Sequence, residues 1–408
     1  MPEVIIITPK TPASTTQPRT NRWLRSAVAT GTFTPDSLPA NFPRCAVDAG
    51  GSEPMEMMKA GRMVDVGRMV CEEIPVPPLD EASSDAAPSS RPDAALGMTA
   101  VDYDVLIRSE MASICGSDLH MVMMGAGLAH RPPCPHGFPG HEGIGMVVES
   151  RAPGLPEGTH VLTFPNPPVG ECFCAFQRVN SSYCVPLPAS DVPRSHLLMG
   201  QQLGTVIYAM RQHPRDVAGE TVMVMGQGSA GLFFTYLLKR AGAERVIVSD
   251  LSPTRLAVAE AYGADECLNA AELGNAGVIE AVKDMTDGRG ADYVVEAVGR
   301  SDTFLDSVEL VRMDGQLLWF GLPSTDDNIH VRFQKFFRKR LSAASTYGAQ
   351  DEPGSMSFRQ ALQLIASGDI DVSPLLSHVF DVSDIGDAFR LAHEPHDAGA
   401  LKVSVSFD

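Results

Sequence analysis

Two short segments of the sequence carry side chains that can bind a transition metal. Residues 115–120 read Cys-Gly-Ser-Asp-Leu-His, and residues 140–142 read Gly-His-Glu. Thiolate, imidazole and carboxylate are ligands that Zn²⁺ accepts, and a catalytic zinc needs three protein ligands with a fourth position left open. A single cysteine or histidine would fit a buried or loop residue equally well. The combination predicts a catalytic zinc site.

A glycine-rich turn follows a predicted apolar strand, Thr221–Met225, in the second half of the chain. Gly226, Gly228 and Gly231 form the pattern Gly-x-Gly-x-x-Gly. In such a turn the first glycine permits a tight bend, the second lets a pyrophosphate approach, and the third lets the helix pack on the strand. The next predicted strand ends at Asp250, whose carboxylate would bind the adenosine ribose and repel a 2′-phosphate. The sequence therefore predicts NAD rather than NADP, with capping of the next helix as the alternative role for Asp250.

The elements around these segments predict an α/β fold of two kinds of domain. Residues 56–202 contain short strands separated by proline and glycine, which indicates a β-rich domain. Strands and helices alternate in residues 203–344, which predicts a parallel sheet covered on both faces. Residues 345–408 return to short strands around one helix, Ser357–Ala366. Residues 1–55 lack periodicity and predict a disordered extension.

Composition excludes several classes of function. A chain of 408 residues is longer than one hydrophobic core usually organises, so two domains are expected. The net charge of -18 argues against binding to nucleic acid or to an anionic membrane. The 8 cysteines lack the spacing of a disulfide scaffold, which favours a reducing, cytoplasmic location. Residues 8–35 resemble an organelle transit peptide, or alternatively a leader before a start near Met55 to Met58.

Taken in order, the three patterns resemble one known family. Cys-Gly-Ser-Asp-x-His, Gly-His-Glu-x-x-Gly and Gly-x-Gly-x-x-Gly with a downstream Asp are similar to the zinc-containing polyol, threonine and glucose dehydrogenase branch of the medium-chain dehydrogenase/reductase family. The resemblance runs from about Met57 to the C-terminus. It implies a GroES-like catalytic domain and a Rossmann domain, one catalytic Zn²⁺, and hydride transfer between NAD and a secondary alcohol or polyol. It also implies a small-molecule alcohol or ketone substrate and a homodimer or homotetramer.

The resemblance also implies a ligand set for the metal. Cys115 and His141 would bind zinc, and Glu142 would either coordinate the zinc directly or contact one of its ligands. The third long-range ligand of the family is a cysteine or glutamate, and by spacing it falls on Gln201 here. An amide oxygen is a weaker ligand than a thiolate, and the adjacent Gln202 leaves an ambiguity of one residue.

Catalytic roles follow from the same resemblance. Ser117 would accept the proton of the alcohol and pass it through the cofactor ribose or His120 to solvent. Asp118 would orient the zinc-bound His141 and fix its tautomer. A partly exposed loop histidine without a proton role is the alternative for His120.

Further residues are expected around the cofactor. Val298 lies in a segment that fits the nicotinamide side, Lys402 matches a phosphate-contacting position, and Arg255 could partly compensate a 2′-phosphate. Cys172 and Cys174 are expected to lie in a strand as packing residues. Two other hypotheses remain: a zinc-free reductase, and a non-catalytic nucleotide-binding protein on the same fold.

Overall fold

Two large β-sheets organise the fold. In the computed structural model the described residues are 56–79, 103–323, 328–394 and 399–407, so the predicted disordered extension, residues 1–55, lies outside them. The described residues belong to one compact unit. Within the described ranges no helix is both long and apolar enough to cross a membrane.

The first half of the chain is mainly β-structure. Its strands and helices are β1 Met57–Asp65, β2 Arg68–Pro75, β3 Val105–Ser113, α1 Gly116–Met124, β4 Gly143–Ser150, β5 His160–Thr163, β6 Phe176–Val179, β7 Cys184–Pro186, α2 Arg194–Leu197 and α3 Gly200–Gln212.

The second half alternates strands with helices and then adds a short C-terminal part. The alternating elements are β8 Thr221–Met225, α4 Ser229–Arg240, β9 Arg245–Asp250, α5 Pro253–Ala261, β10 Glu266–Asn269, α6 Ala270–Met285, β11 Ala291–Glu296, α7 Ser301–Leu310, β12 Val311–Trp319, α8 Phe333–Arg338 and β13 Ser342–Ser345. The C-terminal elements are α9 Met356–Ala366, β14 Leu376–Asp381, α10 Ile385–His393 and β15 Lys402–Ser406.

The alternating elements form a six-stranded sheet in the order β10-β9-β8-β11-β12-β13. Every neighbouring pair is parallel. Val222, Met223 and Val224 at its centre are fully buried, as expected for a strand covered on both faces. The strand order reverses between β8 and β11, and a crevice forms at such a switch point beyond the carboxyl ends of the strands. The predicted Rossmann domain is confirmed.

The other large sheet joins the two ends of the chain. Its strand order is β14-β15-β3-β4-β5-β7, with β6 also paired to β3. In the β3–β4 pair Ala112 lies opposite Gly143, and in the β15–β3 pair Ser404 lies opposite Ser113. The segments that follow β3, precede β4 and begin β15 therefore meet at one place, which is where the candidate metal ligands lie.

The two sheet regions share helix α3 and a continuous core. The ring of Phe164 stacks on that of Phe358 with 4.1 Å between centroids. A Cβ at Gly204 of α3 would lie 2.4 Å from the Phe358 ring, so this helix packs closely against α9. The predicted domain boundaries at 202/203 and 344/345 fall inside α3 and β13, and the exact division into domains stays a prediction.

Two local predictions are wrong. The C-terminal part has a second helix, α10, whose buried Ile385, Ala388 and Phe389 follow helical spacing. Cys172 lies in a turn rather than a strand, and Cys174 makes only an isolated bridge to Ala60. Both cysteines are nevertheless buried in packed surroundings.

Candidate active site

The ends of β3 and β4 bring three predicted metal ligands together. One ligand atom each from Cys115, His141 and Glu142 lies within 4.8 Å of the other two. His141 and Glu142 are 4% and 1% exposed, whereas Cys115 is half-buried. Among the residues that the structure describes, this is the only group of three or more His, Cys, Asp or Glu side chains close enough to hold a metal ion.

Hydrogen bonds orient the imidazole of His141. Its Nδ1 lies 3.0 Å from the carbonyl oxygen of Pro139, and since a carbonyl only accepts, Nδ1 carries the proton. Asp118 Oδ1 also lies 3.0 Å from Nδ1, at ion-pair distance, but among the described residues this oxygen accepts no hydrogen bond, so the Asp118 contact is electrostatic. Nε2 is hydrogen-bonded to the Ser117 hydroxyl at 3.2 Å, and in the neutral ring its lone pair would be the one that binds a metal.

The charges around His141 favour a positive charge on or beside its imidazole. Burial by itself lowers the pKa of His141, but the Asp118 carboxylate and the Cys115 thiol outweigh it, and the pKa lies well above its ordinary value. A zinc ion would supply the positive charge that a proton on His141 otherwise supplies, because ligand imidazoles bind metal in the neutral form.

The two carboxylate oxygens of Glu142 differ in their contacts. Oε2 lies 2.5 Å from Lys402 Nζ and accepts a short hydrogen bond from Ser113. Burial by itself raises the pKa of Glu142, but the charge of Lys402 and the hydrogen bonds to this carboxylate together outweigh burial, so the pKa of Glu142 is lowered. In the same way, burial by itself lowers the pKa of Lys402, but the charge of Glu142 raises it above its ordinary value. Within the described part of the chain, Oε1 has no hydrogen-bond partner. A buried carboxylate oxygen without a donor fits a metal ligand.

The remaining predicted ligand, Gln201, lies at the start of α3. Gln201 is buried in the first turn of this helix at 3% exposed. The amide oxygen of the adjacent Gln202 already accepts hydrogen bonds from Ser229, at 3.1 Å, and from Lys402, at 3.4 Å. Lys402 is itself 3% exposed, and its predicted contact with a phosphate stays a prediction.

The glycine-rich turn has the geometry that its sequence predicts. Gly226 has φ +85° and lies against Val298, whose Cγ2 would be 2.7 Å from an added Cβ. A Cβ at Gly231 would lie 1.9 Å from the Gly226 carbonyl oxygen, so close packing of α4 requires glycine there. At Gly228 an added Cβ would meet nothing within 4 Å. This open space lies at the N-terminus of α4, where unpaired N–H groups favour a phosphate.

Asp250 closes β9 beside this turn. Its Oδ2 accepts from the backbone N–H of Gln227 at 2.6 Å, and its Oδ1 accepts from that of Ser252 at 2.9 Å. Ser252, not Asp250, is the N-cap of α5, which removes the alternative role for Asp250. Arg255 lies on the same helix, and its guanidinium donates to the carbonyl oxygen of Ala400 at 3.1 Å.

Glu296 is a buried acid that sequence reasoning did not single out. It ends β11 at the switch point of the sheet, and its Oε1 accepts from the N–H groups of Val298 and Gly299 and from Thr303 Oγ1. These bonds fix the loop that carries Val298 over Gly226. A carboxylate as the last residue of an apolar strand at this edge was the available signal.

His120 lies on α1 with its Nδ1 buried and, among the described residues, without a hydrogen-bond partner. Burial lowers the pKa of His120, and the nearby His393 lowers it further. A lowered pKa favours the neutral imidazole at pH 7, and the relay role of His120 stays a prediction beside its alternative as a loop histidine.

Two family models match adjacent parts of the chain. One, described as an alcohol dehydrogenase GroES-like domain, matches residues 101–229. The other, described as a zinc-binding dehydrogenase, matches residues 230–367. The chain belongs to the zinc-type medium-chain dehydrogenase/reductase family. Membership confirms the predicted fold class and the prediction of an oxidoreductase that uses zinc and a nicotinamide dinucleotide, and it disfavours both the zinc-free and the non-catalytic hypotheses.

Named relatives support this membership. An L-threonine 3-dehydrogenase of Rhizobium rhizogenes is 26% identical over 315 residues, 70% of this chain and 87% of that protein. A probable D-xylulose reductase A of Emericella nidulans is 27% identical over 321 residues, 71% and 86% of the two chains. The solved L-idonate 5-dehydrogenase of Escherichia coli superposes with a TM-score of 0.69 at 20% identity, covering 87% of this chain and 99% of that one. At this identity the structural likeness shows the fold alone.

Proposed function

We propose that this dehydrogenase transfers a hydride between a secondary alcohol or polyol and NAD at the Cys115–His141–Glu142 cluster. The observation that carries the proposal is the cluster itself, in which one ligand atom each of a thiol, an imidazole and a carboxylate lie within 4.8 Å of one another, and the carboxylate keeps one oxygen without a partner among the described residues. Gln201, in the first turn of α3, is proposed as the further protein ligand, because the amide of Gln202 is already engaged by two donors; with Glu142 also bound, substrate would enter as a fifth ligand.

A zinc ion held by these residues would supply a Lewis acid that lowers the pKa of a substrate hydroxyl, and NAD would supply the hydride acceptor. Asp118 and the Pro139 carbonyl hold the His141 ring so that Nε2 faces the metal position. Ser117 Oγ lies 3.2 Å from that Nε2, which places its hydroxyl beside the cluster, where it can accept the substrate proton while it passes its own proton on. His120, held neutral by burial, is the proposed acceptor further along α1.

The substrate class follows from the relatives. By their names, the L-threonine 3-dehydrogenase and the probable D-xylulose reductase A act on small polar hydroxy or keto compounds. We assign a small secondary alcohol or polyol, with the corresponding ketone as product, to this chain on that basis.

The preference for NAD rests on Asp250. Two backbone N–H groups hold its carboxylate at the end of β9, and each oxygen keeps a lone pair for a ribose hydroxyl. A 2′-phosphate would meet a buried negative charge there. The nearby guanidinium of Arg255 is partly used by the Ala400 carbonyl, which limits the compensation it can offer.

A homodimer is the proposed assembly, with a homotetramer as the alternative. Strand β13 is one edge of the six-stranded sheet and is mostly exposed. Phe333 and Phe337, on the helix before it, are 69% and 71% exposed. An unpaired edge beside exposed aromatic rings is suited to pairing with a second copy. Phe337→Asp is expected to shift the protein to monomer in light scattering, whereas an unmodified protein that is already monomeric would contradict the assignment.

A cytoplasmic location also stays a prediction.

The activity is tested by NAD reduction with a panel of secondary alcohols and polyols, before and after removal of metal by a chelator. Activity should be lost on chelation and restored by Zn²⁺. Cys115→Ser and His141→Ala should abolish both zinc binding and turnover while the chain stays folded, because a catalytic zinc adds little folding energy. Turnover that survives chelation and both substitutions would contradict the proposal.

A further inference from the structure

A continuous chain of polar contacts joins the candidate metal cluster to the start of α4. Glu142 Oε2 lies 2.5 Å from Lys402 Nζ, which donates to Gln202 Oε1 at 3.4 Å. Ser229 Oγ donates to the same amide oxygen at 3.1 Å. Glu142, Lys402 and Gln202 are 1%, 3% and 8% exposed, so three of the four side chains are shielded from water. Gln202 Oε1 is the point where donors from both ends of the chain of contacts meet.

The outer end of this chain of contacts lies at the phosphate position. Ser229 is the first residue of α4 and follows Gly228, where the space is open. A phosphate oxygen is a stronger acceptor for the Ser229 hydroxyl than a neutral amide oxygen, because a charge assists the hydrogen bond. A bound pyrophosphate is therefore expected to draw the Ser229 hydroxyl away from Gln202.

The inner end lies at the metal position. Once Ser229 turns away, Gln202 Oε1 keeps Lys402 as its donor, and a contact of 3.4 Å is long enough to shorten. An ammonium that bonds more strongly to Gln202 shares less of its charge with Glu142, whose Oε1 has no partner among the described residues. With less of its charge neutralised by Lys402, the Glu142 carboxylate becomes a better metal ligand.

We propose that Gln202 is a positioning residue that couples binding of the dinucleotide pyrophosphate to metal coordination by Glu142. The inference rests on the proposed function, because it requires a metal at the cluster and a pyrophosphate at α4. Coupling between two sites is reciprocal, so the dinucleotide tightens metal binding by the same factor as the metal tightens dinucleotide binding. A factor of about 5 to 20 lies within the range usual for coupled sites.

The test uses the Co²⁺-substituted protein, whose visible absorption bands report on the groups that coordinate the metal. ADP-ribose carries the pyrophosphate without the nicotinamide, and adenosine carries neither. ADP-ribose, but not adenosine, should shift the Co²⁺ bands and tighten Co²⁺ binding about 5-fold or more. In Gln202→Leu and in Ser229→Ala the band shift should vanish and the tightening should fall below about 2-fold.

The matched control is Gln212→Leu, the same change at the exposed last residue of α3, which should behave like the unmodified protein. If Gln202→Leu fails to fold, Ser229→Ala at its half-buried site and the comparison of the two ligands still decide the matter. An undiminished shift in Gln202→Leu or Ser229→Ala, or no shift in the unmodified protein, would overturn the coupling while the proposed function stands. Failure of the cluster to bind Co²⁺ would overturn both.

Discussion

Removal of the Lys402 ammonium is expected to leave the buried Glu142 carboxylate without its charged partner. Lys402 and Glu142 form an ion pair with side chains only 3% and 1% exposed. Breaking a buried pair from one side costs about 3 to 5 kcal/mol, because the remaining charge has lost its partner and is still shielded from water. Lys402→Met should therefore lower the free energy of unfolding of the metal-free protein by about that amount in urea titration at pH 7.

The choice of pH follows from the pKa shifts of the pair. The pKa of Glu142 is lowered, so its contribution is complete above 4.5 and is lost as the pH falls through the folded value. The pKa of Lys402 is raised, so its contribution is complete below 10.5 and is lost as the pH rises through the folded value. Neutral pH lies inside both limits, where the pair contributes fully.

Lys59 provides a matched control for this prediction. It pairs with Asp381 at 3.1 Å, but these side chains are 41% and 36% exposed. Exposed pairs contribute little to stability, so Lys59→Met should leave the urea midpoint almost unchanged. The double variant Lys402→Met/Glu142→Leu should recover much of the loss, since it also removes the stranded charge. Equal losses for Lys402→Met and Lys59→Met would refute the reasoning from burial.

Three further predictions concern other parts of the chain. The unmodified enzyme should prefer NAD over NADP by at least roughly tenfold in kcat/KM, and Asp250→Ser should lose or reverse that preference; equal values for the two cofactors in the unmodified enzyme would count against Asp250. The rate of alcohol oxidation should fall only as the pH decreases below 6.5, because the pKa of His120 is lowered from that value, and His120→Gln should lack this inflection. A chain that starts at Met57 should keep its zinc and its activity, and an insoluble product would show that residues 1–55 contribute to the fold.

Local patterns in the sequence were sufficient for the elements that carry chemistry. Strand β8 has the predicted bounds, Thr221–Met225, and the turn after it has the predicted bend at Gly226 and close packing at Gly231, while the phosphate role of Gly228 stays a prediction. For Gly231 the reason is local, because the contact that requires glycine is with the Gly226 carbonyl oxygen, five positions earlier in the same turn. The Cys115 and His141 segments were found in the same way, because the residue types alone define ligand chemistry.

Long-range contacts were not predictable in this way. Gln202 and Lys402 are 200 positions apart, and no short pattern encodes the pairing of β15 with β3 that brings Lys402 to Glu142. The turn at Cys172 was mistaken for a strand because its packing is set elsewhere in the chain: a Cβ at Gly140 would lie 2.8 Å from the backbone N of Phe173. Helix α10 did carry a local signal in its apolar spacing, but it is only 9 residues long and follows β14 directly.

The location of the metal tests the account most directly. X-ray diffraction data collected at the zinc absorption edge from crystals of the zinc-loaded protein would show where the ion lies. We expect one anomalous peak per chain, about 2.3 Å from Cys115 Sγ and about 2.0 to 2.1 Å from His141 Nε2, as tetrahedral zinc requires. A peak elsewhere, a second peak beside Cys172 and Cys174, or no peak at the cluster would contradict the central claim.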